Sequence, residues 1–299
     1  MTSEPPPTTD HGPPDFTIEP SGTFSLHEAA SFGFGPRQPE AYEGVMRLAF
    51  CVDGYRDQVG VAVRQDAAGV HAWVEGEADV SVAKAQVARV LSLDHDGEGF
   101  LAVGGRDPVV ARLQAVAPGL RPPLFYSPYE AAAWSVLSAR RPAAQMAELR
   151  RGLSEEHGRS FTVAGGQMAA FPTPEQLLAV ERFAGLPEVK LRRLHGVAAA
   201  ALDGLLDASE LRSMAAEEAM AQLQRLDGIG PFYSALVVVR ATGHSDVLVT
   251  EEPKLKALVA ELYGLPAPLD PEQLGAIAEP WRPFRTWVAV LIRAAAHRL

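Results

Sequence analysis

One turn motif lies between two segments of helical periodicity: Leu226-Asp227-Gly228-Ile229-Gly230-Pro231-Phe232. Apolar residues recur at helical spacing on both sides, with Ala219, Leu223 and Leu226 before the turn and Ala235, Leu236 and Val239 after it. Because glycine lacks a Cβ atom, Gly228 and Gly230 allow a tight turn between two helices. Their backbone N–H groups, near the N-terminus of the second helix, can bind an anion such as a phosphate. An ordinary helix–helix turn closed by glycine is the alternative interpretation.

A second motif follows about twenty residues downstream: Asp246-Val247-Leu248-Val249-Thr250-Glu251-Glu252-Pro253-Lys254-Leu255. Together, the turn and this segment resemble the helix-hairpin-helix DNA glycosylases, and within them the bacterial DNA-3-methyladenine glycosylase II (AlkA-like) type. In that family the second helix of the hairpin is followed by D-V-x-x-x-D-D, whose last aspartate is catalytic. Glu252 occupies the place of that aspartate. The resemblance therefore implies that Glu252 is the catalytic carboxylate.

Four further segments match the family in the same order along the chain. They are residues 120–141, the F-P-T-P segment at 171–177, residues 189–202, and Trp281-Arg282-Pro283-Phe284-Arg285, which is similar to the family's W-x-P-W-R. The resemblance covers roughly 180 residues. It implies an α+β fold, in which a small antiparallel-sheet N-terminal domain precedes a mainly α-helical helix-hairpin-helix glycosylase core.

The sequence pattern predicts the same organisation. Residues 1–14 are rich in Pro, Thr and acidic side chains, so we expect a disordered tail. Residues 15–115 are expected to form the α+β domain, because apolar runs at 45–52, 58–63 and 70–74 are separated by turn residues and predict a small antiparallel sheet. Helical spacing follows at 80–93 and 108–116. Residues 116–299 are expected to be the helical domain, with Ser127 and Thr173 as N-caps, each followed by proline.

The net charge of −10 is unusual for a protein that binds DNA. Residues 1–115 carry 8 Lys and Arg against 17 Asp and Glu, whereas residues 116–299 carry 19 against 20. The part that bears the hairpin is therefore almost neutral and can present a local basic face, although we expect DNA affinity to fall at modest salt. The candidates for that face are Arg140, Arg141, Arg150, Arg151, Lys190, Arg192, Arg193, Lys254, Lys256, Arg282 and Arg285.

Several other classes of protein are excluded by the composition. No apolar run reaches the eighteen residues of a membrane span. The acidic, proline-rich start has no apolar core of a signal peptide. A single cysteine, Cys51, excludes an internal disulfide and a cysteine-rich zinc site, and the scattered histidines predict no metal site. No cofactor-binding glycine loop is recognisable. We therefore expect a cytoplasmic monomer without a cofactor.

The residues around the hairpin predict the chemistry. Cleavage of an N-glycosidic bond builds positive charge on the deoxyribose, and a carboxylate near C1′ stabilises that charge and orients water. Bifunctional members of the resembled superfamily carry a lysine nucleophile two residues after the second glycine, where this chain has Phe232. We therefore expect no Schiff base. Phe232 can instead offer its π-face to an extruded alkylated base, with packing inside the helical core as the alternative.

Other positions also depart from the family. Arg140 stands where the alkylpurine glycosylases have a wedge leucine, and Arg293 stands where an aromatic residue lines their pocket. Trp134 can rebuild the pocket wall from the other side, or can be plain core. Resemblance also allows a monovalent cation that bridges the hairpin to a phosphate. Gly228, Ile229, Gly230 and Arg140 are the predicted DNA contacts.

The predicted function is a monofunctional DNA N-glycosylase that excises alkylated purines from double-stranded DNA in base excision repair. Glu252 is one methylene longer than the family's aspartate, and a displacement of about 1 Å can cost on the order of 100-fold in rate. Glu251 and Glu252 can also merely decorate the first turn of a helix. The alternative function is therefore a non-enzymatic damaged-DNA-binding protein. A third reading is an adapter whose acidic N-terminal domain binds a protein.

Overall fold

An antiparallel sheet forms the first part of the computed structural model, which describes residues 12–33 and 42–299. Its strands are β1 (Phe16–Ile18), β2 (Met46–Cys51), β3 (Gln58–Asp66) and β4 (Gly69–Glu75), in the order β1-β4-β3-β2. All neighbouring pairs are antiparallel. The predicted sheet is thus confirmed, and β1 extends it by one strand. Most of the predicted disordered tail, residues 1–11, lies outside the described residues.

Short helices accompany the sheet: α1 (Leu26–Ser31), α2 (Val80–Val90), α3 (Gly97–Leu101) and α4 (Pro108–Val116). The predicted helices at 80–93 and 108–116 are confirmed as α2 and α4. Val87 and Val90 of α2 are fully buried in one apolar cluster with the sheet residues Leu48 and Val61. The 3.6-residue period of α2 therefore places its apolar side on the sheet face.

The rest of the chain is mainly helical. Its helices are α5 (Pro128–Ser138), α6 (Ala143–His157), α7 (Pro174–Leu178), α8 (Glu188–Leu202), α9 (Ala208–Ser213), α10 (Ala216–Leu223), α11 (Pro231–Val237), α12 (Pro253–Tyr263), α13 (Pro271–Ala278) and α14 (Arg285–Ala295). Both predicted N-caps are confirmed, because the Ser127 hydroxyl accepts the N–H of Glu130 and Thr173 forms a capping box with Gln176. The helix that leaves the hairpin continues from α11 into a π-helical segment, Val238–Thr242.

A small hairpin of the helical part packs on the sheet. It consists of β5 (Ser160–Val163) and β6 (Gly166–Ala169). A Cβ atom at Gly60 of β3 would lie 2.5 Å from Val163 and 2.8 Å from Phe161. The sheet therefore needs glycine at this position in order to contact the hairpin.

Helices α3 and α4 pack away from the sheet. Phe100, Val110 and Leu113 share an apolar cluster with α12, α13 and α14, in which Trp281 is fully buried. The side chain of Asp107, which caps α4, accepts hydrogen bonds from Trp281 Nε1 at 2.9 Å and from Tyr263 at 2.5 Å. The chain thus returns at its C-terminal end to helices near residue 100. The division into domains at residue 115 stays a prediction. No helix among the described residues is both long and apolar enough to cross a membrane.

Candidate active site

The two glycines of the turn between α10 and α11 have different conformations. Gly228 has φ +92°, in the left-handed region that favours glycine. A Cβ atom there would also lie 2.9 Å from Cδ of Arg193. Gly230 has φ −93° and ψ −174°, an extended backbone that any residue adopts. Of the two glycines predicted to allow the turn, only Gly228 is required by its backbone conformation.

The amides of the hairpin differ in availability. The N–H of Ile229 donates to the carbonyl of Leu226 at 3.0 Å and closes the turn, while the Ile229 side chain is buried. Within the described part of the chain, the N–H groups of Gly228 and Gly230 have no hydrogen-bond acceptor. The two glycine amides predicted to bind a phosphate are thus available, whereas the amide of Ile229 is not. Arg193 lies beside them and pairs with Asp227 at 3.1 Å.

The segment that leads from the hairpin to Glu252 is anchored on the start of α14. Asp246 accepts hydrogen bonds from Arg285 Nε at 2.8 Å and from Arg282 at 2.8 Å. Thr286 accepts the N–H of Val247 and donates to its carbonyl, both at 2.9 Å. The two arginines of the W-R-P-F-R segment therefore hold the start of the D-V segment. This explains in physical terms why the two motifs occur together.

Glu252 is the N-cap residue of α12, yet its side chain makes no capping hydrogen bond. Its carbonyl begins the helix by accepting the N–H of Lys256 at 3.1 Å. Its carboxylate forms an ion pair with Arg293 of α14, and the Glu252 side chain is only 20% exposed. Glu251, in contrast, is exposed. Glu252 is thus engaged in a tertiary ion pair and does not merely cap the first turn.

The predicted catalytic and base-pocket residues line one cavity of about 380 Å³. Its walls include Trp134 of α5, Phe232 of α11, Glu252 and Arg293. Phe232 is 64% exposed, so its interpretation as helix core is wrong. Trp134 is 4% exposed and is both a core residue and part of the cavity wall. The sequence also predicts that Phe32 and Phe34 of the N-terminal domain contribute to the site; Phe32 lines the cavity, whereas Phe34 lies outside the described residues.

Arg140 does not line this cavity. It is an exposed residue just after α5, with φ +56°. The Nζ of Lys190 holds this end of α5 by donating to the carbonyls of Leu137 and Ala139. Burial lowers the pKa of Lys190. The Lys190 ammonium is therefore used by these carbonyls and is not available for the basic face. The same holds for Arg150, which pairs with the buried Glu130.

Sequence reasoning missed Arg240 as a cavity residue. It is buried, donates to the carbonyl of Pro123 at 2.7 Å, and its guanidinium lies 5.5 Å from the ring centroid of Phe32. An arginine at the end of the apolar run Val237–Val239 was the available signal. Burial lowers the pKa of Arg293. Among the described residues, no group of three or more His, Cys, Asp or Glu side chains could hold a metal ion.

Known proteins resemble this chain in sequence and in fold. No family model matches the chain. A Mycobacterium tuberculosis protein named "Probable bifunctional transcriptional activator/DNA repair enzyme AlkA" is 29% identical over 214 residues, which are 70% of this chain and 42% of that protein. A 3-methyladenine DNA glycosylase structure from Archaeoglobus fulgidus has a TM-score of 0.76 at 22% identity and covers 94% of this chain and 98% of that chain. The chain resembles AlkA-like helix-hairpin-helix proteins.

The AlkA-like resemblance and the α+β fold predicted from the sequence are thus confirmed. Another curated relative is the "Alkylbase DNA glycosidase-like protein mag2" of Schizosaccharomyces pombe, which is 27% identical over 124 residues, or 40% of this chain and 58% of that protein. The chain spans about half the length of the curated relatives it matches.

Proposed function

We propose that this AlkA-like protein is a monofunctional DNA N-glycosylase that releases alkylated purines from double-stranded DNA. The observation that carries the proposal is that Glu252 and the exposed ring of Phe232 face one cavity next to a glycine hairpin. The names of its relatives support it, because they refer to DNA repair and to glycosylases of 3-methyladenine or alkylated bases.

The proposed reaction begins with extrusion of the damaged nucleotide, at a cost of about a few kcal/mol. The cavity of about 380 Å³ falls within the size range of small-molecule sites. The ring of Phe232 stacks on the extruded base. As the bond from C1′ to the base nitrogen breaks, its electron pair leaves with the base, and Glu252 stabilises the positive charge on the sugar. The oxygen of a water molecule then bonds to C1′, and Glu252 accepts its proton.

Phe232 also decides the type of mechanism. It stands where bifunctional members of the resembled superfamily have their lysine nucleophile, so no covalent imine between protein and sugar is formed. The products are the free base and an intact abasic site. A DNA strand break in the product would contradict this part of the proposal.

The hairpin is the proposed DNA grip. The free N–H groups of Gly228 and Gly230 bind a backbone phosphate. Ile229 anchors the turn through its buried side chain. The backbone carbonyls of the hairpin would hold a monovalent cation, which would offset the charge of a phosphate. Arg140, exposed at the end of α5, fills the gap left by the extruded base.

A second candidate function is damaged-DNA binding without chemistry. The ion pair between Glu252 and Arg293 favours it, because a carboxylate held by a guanidinium stabilises a sugar cation less than a free one. The extra methylene of glutamate displaces the carboxylate and so also lowers the expected rate of base release.

The experiment measures base release from duplexes that carry 3-methyladenine, 7-methylguanine, hypoxanthine or ethenoadenine. We expect release by the wild-type protein, its loss in Glu252→Gln, and retention in the matched control Glu251→Gln. Tight binding to these duplexes without release of any base would replace the first candidate with the second. Equal activity of the two variants would remove Glu252 from the mechanism.

A further inference from the structure

The charges around the cavity are unequal. The ionisable residues that line it in the described part of the chain are Arg240, Lys254, Arg293 and Glu252, three cations and one carboxylate. That carboxylate is already paired with Arg293. Lys254 is exposed, so water screens its charge, the Arg293 side chain is 36% exposed, and Arg240 is buried. Cations therefore outnumber carboxylates among the described residues that line the cavity.

The buried guanidinium of Arg240 and the partly exposed guanidinium of Arg293 are both held in place. Arg240 donates to the carbonyl of Pro123 and lies over the ring of Phe32. Arg293 projects from α14, whose start is fixed by Asp246, and it reaches the carboxylate at the N-terminus of α12. A guanidinium cannot lose its proton at neutral pH, so neither group can adapt to a cationic ligand by deprotonation.

We infer that Arg293 is a specificity-determining residue that makes the cavity select uncharged damaged bases over cationic N-alkylated purines. The inference rests on the proposed glycosylase function and shifts its preferred substrates from cationic alkylated purines to uncharged damaged purines. Ethenoadenine and hypoxanthine are uncharged and carry ring-nitrogen or oxygen acceptors that a guanidinium can bind. Bases such as 7-methylguanine and 3-methyladenine carry a positive charge in DNA, and Arg293 and Arg240 repel it.

Leaving-group chemistry acts in the same direction. When C1′ separates from a cationic base, the electron pair of the bond neutralises the base, which leaves without help. An uncharged base leaves as an anion and takes up a proton afterwards, so that water adds OH to C1′ and H to the base. A guanidinium beside the base stabilises the developing negative charge and lowers this barrier. Arg293 thus lowers the barrier to release of the uncharged bases, which leave as anions.

The test measures single-turnover rates of base release by the full-length protein. Each rate is divided by the rate at which the same base is released spontaneously, and the normalised rates of different bases then form a ratio. The ratio compares ethenoadenine and hypoxanthine with 7-methylguanine. We expect it to favour the uncharged bases in the wild type and to fall by at least about 10-fold in Arg293→Gln. Arg293→Lys, which keeps the charge, should retain most of the preference. Arg298→Gln is the matched control, because Arg298 pairs with Glu28 outside the cavity.

An unchanged ratio in Arg293→Gln, or a wild-type preference for 7-methylguanine, would overturn the inference about Arg293. Base release in the same experiment would still support the proposed glycosylase function. If no base is released from any duplex, the proposed glycosylase fails. The charge preference is then measured by equilibrium binding of the same duplexes. Tighter binding of ethenoadenine than of 7-methylguanine, lost in Arg293→Gln, supports the role of Arg293, and equal binding overturns it.

Discussion

The backbone conformation of Gly228 predicts that its replacement lowers the stability of the protein. At φ +92°, an alanine is strained by about 1–2 kcal/mol, and its Cβ atom would displace Arg193. We expect Gly228→Ala to lower the free energy of unfolding by this amount, as measured by urea denaturation.

Gly230→Ala is the matched control for that measurement. Its backbone is extended, and no atom lies within 4 Å of the added Cβ. Its stability should stay within about 0.5 kcal/mol of the wild type. DNA binding should nevertheless weaken, because the added methyl group occupies the space beside the free amide. Equal destabilisation by the two substitutions would contradict the assignment of different roles.

The loop between the π-helical segment and α12 is the element that carries Glu252, and Asp246 is its anchor. Asp246→Asn removes the charge that holds Arg285, whose side chain is 19% exposed. The loop should then shift, and a shift of about 1 Å can cost on the order of 100-fold in rate. We expect single-turnover base release to fall at least 10-fold with a smaller change in DNA affinity. Arg282→Gln is the milder comparison, because the Arg282 side chain is 47% exposed.

Glu130 joins α5 both to α6 and to the sheet, so its replacement is expected to change stability. Glu130 of α5 has a 1% exposed side chain, pairs with Arg150 of α6 and accepts the N–H of Cys51 in β2 at 3.3 Å. Glu130→Ala leaves the Arg150 charge buried, which typically costs about 3–5 kcal/mol. Arg151→Ala on the same helix breaks only exposed pairs and should cost less than about 1 kcal/mol. Urea denaturation of both variants measures the difference.

Acid should destabilise the whole molecule through two histidines. Burial lowers the pKa of His95 and of His244, which contacts Thr242 and the carbonyl of Met214. In the unfolded chain these side chains titrate near their usual pKa of about 6.5. Below that pH the unfolded state binds protons that the folded state does not bind, so the stability present at neutral pH is lost as the pH falls toward the folded pKa values.

The measurement compares the free energy of unfolding at pH 7.5 and 5.5. The wild type should be less stable at the lower pH, and His244→Gln should lose less stability over this interval. His297→Gln is the control, because His297 is exposed. An identical pH dependence in the wild type and in His244→Gln would contradict a buried, neutral His244.

Local patterns predicted most of the elements. Ser127 and Thr173 were recognised as N-caps because a hydroxyl and the N–H three residues later interact within a single turn. The strands β2, β3 and β4 followed from turn residues and apolar runs. In contrast, α9 was not predicted, because six residues are too short to show a period.

The geometry of the site depended on contacts between distant parts of the chain. The sequence indicated Glu252 and Phe232 through the resemblance of two short motifs to the helix-hairpin-helix glycosylases, and such motifs are local. It could not show that Arg293 pairs with Glu252, that Arg240 joins the same cavity, or that Arg285 holds Asp246. Those contacts arise where α14 packs against α12 and against the loop at Asp246. The charge of the cavity is therefore a property of helix packing, since it sums groups that are adjacent only after folding.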